Sequence, residues 1–383
     1  MNPLRLGVFC WATLLIAQIG SPACADEKPA DQFAGFPEIN KFRRGERSVK
    51  VITSDGVTGL VRPKWTRAMS DLGGWPAMHR FKGTIYFVFP HVDGHRYNRF
   101  EATGKHFVYA SKDEGKTWTL QPHPTFTFTP EYVVAGDTLY AFDARKDIPQ
   151  PQVRTSTDGI KWSEPTNIYK KPFYFWGVMY DPASKMFWAP PHAIPKTKDD
   201  GPRQIHLVSS KDGINWDHIS VVAPFTNASE SVLLFDEDRT MTVLIRRKYG
   251  RTSNVAVAKP PYKEWTVTER PVIIEGEHLF QIGGETFLAS RANYSGNNAD
   301  IKANPKIFDG RKSYSMVYRV TKERQLEPWA VMDSMGDCSY PFLVETPTEI
   351  LCAYYSQHED RVCKPYLCAF DKKEFLKGPE GVK

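Results

Sequence analysis

Ser111-Lys112-Asp113-Glu114-Gly115-Lys116-Thr117-Trp118 has the composition of a tight β-hairpin turn, and the apolar run Phe107-Val108-Tyr109-Ala110 precedes it. In such a turn the Ser and Asp side chains bond the turn's own backbone, Gly supplies a positive φ, and Trp closes over the loop. The pattern recurs at Ser156-Thr157-Asp158-Gly159-Ile160-Lys161-Trp162 and at Ser210-Lys211-Asp212-Gly213-Ile214-Asn215-Trp216, and a weaker copy ends at Trp265. Successive tryptophans are 44, 54 and 49 residues apart. A unit that repeats at roughly 40–50 residues predicts a β-propeller with one blade per repeat.

The rest of the chain also predicts an all-β protein. From Val49 onward, short runs rich in Val, Ile, Tyr, Phe and Trp alternate with clusters of Gly, Pro, Asp and Asn, and no long amphipathic helix interrupts them. Dividing the length by the repeat gives six or seven blades, and six is favoured because insertions lengthen some blades. We therefore expect residues 46–383 to form a single propeller domain.

The first 25 residues have the pattern of a cleaved secretion signal. Arg5 gives a positive start, residues 6–19 are apolar, and Ala23-Cys24-Ala25 is a small-residue cleavage site. The apolar run is too short for a spanning helix and no other stretch approaches that length, so we expect no transmembrane segment. The sequence predicts a secreted or periplasmic protein with a loose leader over residues 26–45. Lipid modification of Cys24 is the less favoured alternative.

The charge of the chain argues against one class of partner. The formal net charge is +6, and no basic run of the kind found in nucleic-acid-binding proteins is present. The mild positive balance suits an anionic ligand. We expect a monomer that binds neither nucleic acid nor a cofactor.

Four cysteines fall in the last 46 residues. In an exported chain they predict two disulfides, and the three possible connectivities stay open. A hairpin over residues 351–370 would bring Cys352 opposite Cys368 and leave Cys338 for Cys363. Zinc binding is a weaker alternative, because the spacings fit no standard finger, and we expect no metal site.

The turns and several other segments resemble one known family. The first turn matches the Asp-box (BNR) repeat of the sialidase superfamily, S-x-D-x-G-x-T-W, and the next two each lack one residue of it. Asn227-Ala228-Ser229-Glu230 with the later Arg246 resembles the sialidase glutamate and its downstream arginine. Gly283–Arg291 resembles a later blade that ends in a site arginine, and Gly336–Leu343 resembles the last blade of bacterial secreted sialidase-like proteins. The resemblance implies a six-bladed propeller.

The resemblance also implies a mechanism. Sialidases hold the substrate carboxylate with three arginines, whose planar guanidiniums form bidentate pairs. They attack with a tyrosine activated by a glutamate, while an aspartic acid donates the proton. Transferred to this chain, Tyr340 would be the nucleophile, Glu230 its base, and Arg246 and Arg291 two ligands of the substrate's anionic group.

Two parts of the family pattern do not transfer. Gly74 stands where the family's first arginine is expected, so a uronic acid or a sulfated sugar fits the site at least as well as sialic acid. The acid is not clearly identified, and Asp93 and His95 are the catalytic candidates in that region. The remaining candidates for substrate binding are His91, Trp75 and His358.

Simpler explanations exist for several of these residues. Tyr340 could be an ordinary strand aromatic, and Arg291 could be an arginine at the edge of the core. Arg246 and Arg247 are adjacent, so on a strand they point to opposite faces and at most one faces a site.

The sequence thus favours an exo-acting glycoside hydrolase on an anionic glycan. One alternative is a polysaccharide lyase, in which Tyr and His act as base and acid beside a uronate. The other is a noncatalytic propeller that binds a glycan or a protein.

Overall fold

The computed structural model describes residues 59–92, 105–121, 131–143, 150–170, 173–193, 203–223, 227–247, 252–270, 272–293, 313–360 and 362–379. These residues form six antiparallel sheets arranged as a β-propeller, so the predicted all-β, six-bladed fold is confirmed. The predicted signal segment, the leader, and the candidates Asp93 and His95 lie outside the described residues.

Apart from β1, each blade is built from strands that follow one another along the chain. The first strand, β1 (Trp65–Ala68), joins blade 6. Blade 1 contains β2 (Ala77–Phe81), β3 (Thr84–Pro90), β4 (His106–Ser111) and β5 (Thr119–Gln121), and blade 2 contains β6 (Glu131–Ala135), β7 (Thr138–Asp143), β8 (Gln152–Ser156) and β9 (Thr166–Asn167). Blade 3 contains β10 (Phe173–Tyr174), β11 (Met179–Asp181), β12 (Met186–Ala189), β13 (His192–Ala193), β14 (Ile205–Ser210) and β15 (Trp216–Ala223). Blade 4 contains β16 (Ala228–Phe235), β17 (Met241–Arg247), β18 (Ser253–Ala258) and β19 (Thr266–Arg270). Blade 5 contains β20 (Ile274–Ile282), β21 (Glu285–Asn293), β22 (Ser313–Val320) and β23 (Leu326–Val331). Blade 6 contains β24 (Ser339–Glu345), β25 (Glu349–Ser356) and β26 (Lys364–Asp371), together with β1.

Blade 3 is the irregular one, with six strand segments. Its first strand is split into β10 and β11, and its second into β12 and β13. Pro190 and Pro191 separate the latter two, because proline cannot donate to the ladder. Gly177 lies between the former two with φ +61°, and a Cβ there would approach the Ser231 carbonyl oxygen of blade 4 to 2.2 Å. The interruption in the first strand therefore allows close packing of neighbouring blades.

The blades pack through strands that are buried on both faces. In β3 every residue after Thr84 is buried, and the sequence of that strand is rich in aromatic and β-branched residues. Ile85 and Phe87 share a core cluster with Leu351 and Leu367 of blade 6. The large apolar side chains thus fill the space between adjacent sheets.

The N-terminal strand closes the ring. β1 pairs with β26 at the outer edge of blade 6, in the register Trp65↔Ala369. The short helix α1 (Lys372–Lys377) follows β26, and its first turn is capped by the Asp371 carboxylate. Pairing the first and last strands of the described residues in one sheet connects the first and last blades.

The repeated turns adopt the predicted geometry. The Asp113 carboxylate accepts hydrogen bonds from the Thr117 N–H at 2.9 Å and the Thr117 hydroxyl at 2.6 Å. The Gly115 N–H donates to the Ser111 hydroxyl, and the Trp118 indole donates to the Gly115 carbonyl. These turns join β4 to β5, β8 to β9 and β14 to β15.

The four C-terminal cysteines depart from prediction. Cys352 does lie opposite Cys368 in the β25–β26 register, but both are free thiols, as are Cys338 and Cys363, and all four are buried. Directly opposed strand residues have Cβ atoms about 4.5–5.5 Å apart. A disulfide needs about 3.8 Å, so opposition alone does not give bonding geometry.

Among the described residues, no helix has both the length and the apolar character to cross a membrane.

Candidate functional site

The site lies where the innermost strands begin. Arg80, at the far end of β2, reaches Glu114 in the first repeated turn through hydrogen bonds of 2.6 and 2.9 Å. The innermost strands therefore run toward the end of the propeller that carries the repeated turns. Their first residues gather at the opposite end of the axis.

Three adjacent blades share a local irregularity at this place. The pairing register shifts by one residue between Ala228 and Ser231 in β16, between Glu275 and His278 in β20, and between Ser339 and Phe342 in β24. Each shift is a β-bulge, which re-aims the side chains around it. The bulges of blades 4, 5 and 6 contain Glu230, Glu277 and Tyr340.

The backbone around these bulges is unusual. Tyr340 has φ +51°, and Trp75, at the start of blade 1, has φ +44°. Left-handed backbone is costly for bulky side chains and is concentrated at functional sites. Gly276 has φ +61°, and a Cβ there would come within 2.5 Å of the Ser339 hydroxyl of blade 6. Glycine therefore permits blades 5 and 6 to approach closely beneath Tyr340.

Five charged side chains form one continuous chain across the bulges. Arg246 pairs with Glu230 at 2.7 Å and with Glu275 at 3.1 Å. Glu275 also binds Arg291 at 2.8 Å, and Arg291 approaches Asp337 at 3.5 Å. The exposed fractions of these side chains lie between 12% and 19%, so the network is largely shielded from water.

The network fixes the charge states of its members. Burial alone would raise the pKa of Glu230, but Arg246 and His192 outweigh it and lower that pKa to about 2. Burial would likewise lower the pKa of Arg246, but Glu230 and Glu275 raise it above its usual range. Arg291 behaves in the same way beside Glu275. Both arginines and Glu230 are therefore charged across the ordinary pH range.

Tyr340 lies against this network and is 9% exposed. Its ring makes an edge contact with Trp176 at 5.3 Å and stacks on Tyr355 at 6.0 Å. Burial, and then Glu230, raise the pKa of Tyr340, while Arg246 and Arg291 oppose the shift. The phenol is therefore protonated in the resting protein. Among the described residues, no hydrogen bond joins Tyr340 to Glu230, whose carboxylate is held by Arg246.

A second tyrosine completes the wall. The Tyr355 hydroxyl donates to the Asp337 carboxylate at 2.7 Å, and burial raises the pKa of Tyr355 well above its usual range. Trp75 belongs to the same buried cluster as Tyr340, Tyr355 and Trp176. The site is thus a charged network bordered by aromatic rings.

The structure brings together five of the sequence-based candidates: Tyr340, Glu230, Arg246, Arg291 and Trp75. Arg247 points away from the partners of Arg246, as its adjacent position on the strand predicts. Its guanidinium donates to the side-chain oxygens of Asn227 and Asn254.

Two histidine candidates each make a ring contact with a residue of their own blade. His91 is buried, and its ring meets the edge of Phe107 at a centroid distance of 5.8 Å. His358 is also buried, and its ring lies 4.4 Å from that of Tyr366 on β26.

Sequence reasoning missed the acidic residues Glu275 and Glu277, and it gave Asp337 no role. A usable signal was present for one of them. Glu277 follows Glu230 by 47 residues, which is one blade repeat. The described residues contain no group of three or more His, Cys, Asp or Glu side chains placed to hold a metal ion.

A cavity of about 940 Å³ also lies on the axis, toward the end with the repeated turns. Its lining includes His79, the Arg239–Asp181 ion pair and Phe342, and none of the network residues Glu230, Arg246, Glu275 and Arg291. It is therefore separate from the network around Tyr340.

Comparison with solved structures shows the same fold in several proteins. A protein of unknown function from Dyadobacter fermentans has a TM-score of 0.59 and 14% identity, over 84% of this chain and 100% of that one. Trypanosoma rangeli sialidase with the inhibitor DANA has a TM-score of 0.58 and 12% identity, over 83% of this chain and 60% of that one. The phage phi92 endosialidase has a TM-score of 0.53 and 10% identity, over 80% and 69%.

This chain therefore spans about 60% of the length of the Trypanosoma sialidase. No family model and no curated protein sequence matches it. The neighbours show a sialidase-like six-bladed propeller fold.

Proposed function

We propose that this chain is a secreted, sialidase-like glycoside hydrolase that acts on an anionic glycan. The observation that carries the proposal is the ion-pair network Glu230–Arg246–Glu275–Arg291 beside Tyr340. The fold neighbours support a glycan as the ligand, since they include sialidases, one of them with a bound inhibitor. In this proposal Tyr340 attacks the anomeric carbon, and Glu230 takes the phenol proton.

The ion pairs suggest how an anionic substrate would activate the site. Glu230 is a weak base in the resting protein because Arg246 holds its pKa near 2. The buried Nε of Arg246 has no hydrogen-bond partner among the described residues. A substrate anion that binds Arg246 would weaken the Arg246–Glu230 pair. The Glu230 carboxylate would then become more basic and free to accept the proton of Tyr340.

Arg291 would provide the second contact to the anion. Its guanidinium lies on the other side of the shared Glu275 carboxylate. Two guanidiniums joined by one carboxylate make a rigid pair, which suits an anionic group such as a planar carboxylate or a tetrahedral sulfate. Since Gly74 replaces the family's first arginine, the proposal covers uronic acids and sulfated sugars as well as sialic acids.

A noncatalytic glycan-binding propeller is the second candidate. It is favoured by the position of the Glu230 carboxylate, which pairs with Arg246 and makes no hydrogen bond to Tyr340. In that case the arginines would bind a glycan that the protein does not cleave.

The deciding experiment is incubation of the purified protein with sialosides, uronate-containing glycans and sulfated glycans. Reducing ends and ultraviolet absorbance are read together. New reducing ends without absorbance support the hydrolase. Unsaturated, absorbing products would show a polysaccharide lyase instead. Binding without either product would favour the noncatalytic propeller.

A further inference from the structure

Glu277 is a buried acidic residue outside the ion-pair network. Glu277 is 0% exposed, and neither of its carboxyl oxygens has a hydrogen-bond partner among the described residues. Buried polar groups are almost always paired, and leaving one unpaired costs about 1–3 kcal/mol or more. The carboxyl of Glu277 is therefore available to pair with a polar group of a bound ligand.

The fold places Glu277 and Glu230 in equivalent positions of adjacent blades. In blade 4 the bulge between Ala228 and Ser231 contains Glu230 as its second residue. In blade 5 the bulge between Glu275 and His278 contains Glu277 as its second residue. The same irregularity of the innermost strand therefore presents a glutamate from each blade.

Trp176 links Glu277 to Tyr340. The Trp176 indole N–H donates to the Glu277 carbonyl at 3.1 Å, and the same indole ring contacts the Tyr340 ring at 5.3 Å. Trp176 therefore holds the bulge of blade 5 next to the tyrosine of blade 6.

The two glutamates differ in charge. Burial raises the pKa of Glu277 well above its usual range, Glu230 and Glu275 raise it further, and Arg246 only partly opposes them. Glu230 has a pKa near 2 because it holds the direct ion pair with Arg246. Two carboxyls in one site, one ionised and one neutral, are the arrangement that divides base and acid roles in many enzymes.

We propose that Glu277 is the general acid of this site, the group that protonates the leaving oxygen of a bound glycan. This inference rests on the proposed hydrolase activity.

The proton transfers balance over the two steps of hydrolysis. In the first step Glu230 takes the phenol proton of Tyr340 while the phenol oxygen bonds the anomeric carbon. The electron pair of the glycosidic bond passes to the leaving oxygen, which takes the proton of Glu277. In the second step the Glu277 carboxylate takes a proton from water as the water oxygen bonds the anomeric carbon. Tyr340 leaves and recovers its proton from Glu230.

The test compares Glu277→Gln with wild type on two classes of substrate. Glutamine keeps the size of the side chain and lacks the acidic proton, and Glu269→Gln on the exposed face of β19 is the matched control. A glycan whose leaving group is another sugar needs an acid, whereas a nitrophenyl glycoside does not. We expect Glu277→Gln to lose about 100-fold or more on the sugar leaving group. On the nitrophenyl glycoside we expect less than about a tenfold loss.

A second readout does not depend on turnover. The infrared difference spectrum of wild type minus Glu277→Gln should show the C=O stretch of a protonated carboxylic acid at neutral pH. A carboxylate signal in its place overturns the acid role.

The outcomes separate the two proposals. Equal losses on both substrates, or no loss on either, overturn the acid role of Glu277 and leave the hydrolase standing. A wild-type protein that binds a glycan and cleaves neither substrate overturns the hydrolase, and the acid role with it.

Discussion

Replacing Arg246 by methionine should destabilise the protein strongly. Arg246 forms ion pairs with Glu230 and Glu275, and all three side chains are more than four-fifths buried. Removing one partner of a buried ion pair leaves an uncompensated charge, at a cost of about 3–5 kcal/mol. Methionine roughly preserves the apolar volume of the arginine stem, so the loss reports the charge. We expect the free energy of unfolding to fall by that amount at pH 7.

The matched control is Arg319→Met. Arg319 pairs with Glu327 at 2.6 Å, a distance close to that of the Arg246–Glu230 pair, but Glu327 is 37% exposed. Exposed pairs contribute about 0–1 kcal/mol, so this variant should lose less than about 1 kcal/mol. Urea unfolding, followed by tryptophan fluorescence, measures both values in the same buffer.

The cost of Arg246→Met should also depend on pH. The folded pKa of Glu230 is about 2, below its unfolded value of 4.5. The stability that this carboxylate gains from Arg246 is therefore fully present above about pH 4.5 and is lost as the pH falls toward 2. Arg246→Met removes the strongest interaction that lowers the pKa of Glu230 and leaves the burial that raises it. The gap between variant and wild type should be widest near pH 7 and should narrow on acidification. A loss equal to that of Arg319→Met, or a pH-independent gap, would refute the reasoning.

Three further predictions concern the fold. Gly177→Ala should destabilise the protein by several kcal/mol, because the new Cβ would lie 2.2 Å from the Ser231 carbonyl oxygen. Its control is Gly136→Ala, where φ is also positive but no atom of the described residues lies within 4 Å of the new Cβ, and this variant should cost about 1 kcal/mol in the same urea titration. Asp113→Ala should lower the free energy of unfolding by about 1–2 kcal/mol, because the turn loses its hydrogen bonds to Thr117, and the far-ultraviolet circular dichroism should not change. Its control is Asp137→Ala, at a side chain that is 97% exposed, and this variant should show no measurable loss of stability. A thiol reagent should label the C-terminal cysteines only after the protein is unfolded, and no reductant should be needed for this labelling. Labelling that requires reductant would contradict the free thiols of Cys338, Cys352, Cys363 and Cys368.

Much of the fold was predictable from sequence because it is repetitive. The turn Ser111–Trp118 fixes its own conformation through local hydrogen bonds, so its residues identify it wherever it recurs. The spacing of the repeated tryptophans then gives the blade length. The splitting of blade 3 was not predicted, because it depends on the approach of Gly177 to a neighbouring blade.

The candidate site was only partly predictable. Glu230 and Arg246 were found through their resemblance to a family pattern, and the structure places them on the adjacent strands β16 and β17 of one blade. Glu275 bridges two arginines from different blades, and no local pattern reports a contact between sheets. The predicted disulfide between Cys352 and Cys368 shows the converse error, since the register was right and the bond was absent.

The central claim is that Tyr340 performs the chemistry, and Tyr340→Phe tests it most directly. The substitution removes one hydroxyl from a ring held by Trp176 and Tyr355, so the fold and glycan binding should persist. Tyr109→Phe, at a buried tyrosine of blade 1, is the control. On the glycan that wild type cleaves, we predict that Tyr340→Phe loses at least about 100-fold in rate while Tyr109→Phe keeps its rate. Full activity of Tyr340→Phe would contradict the account.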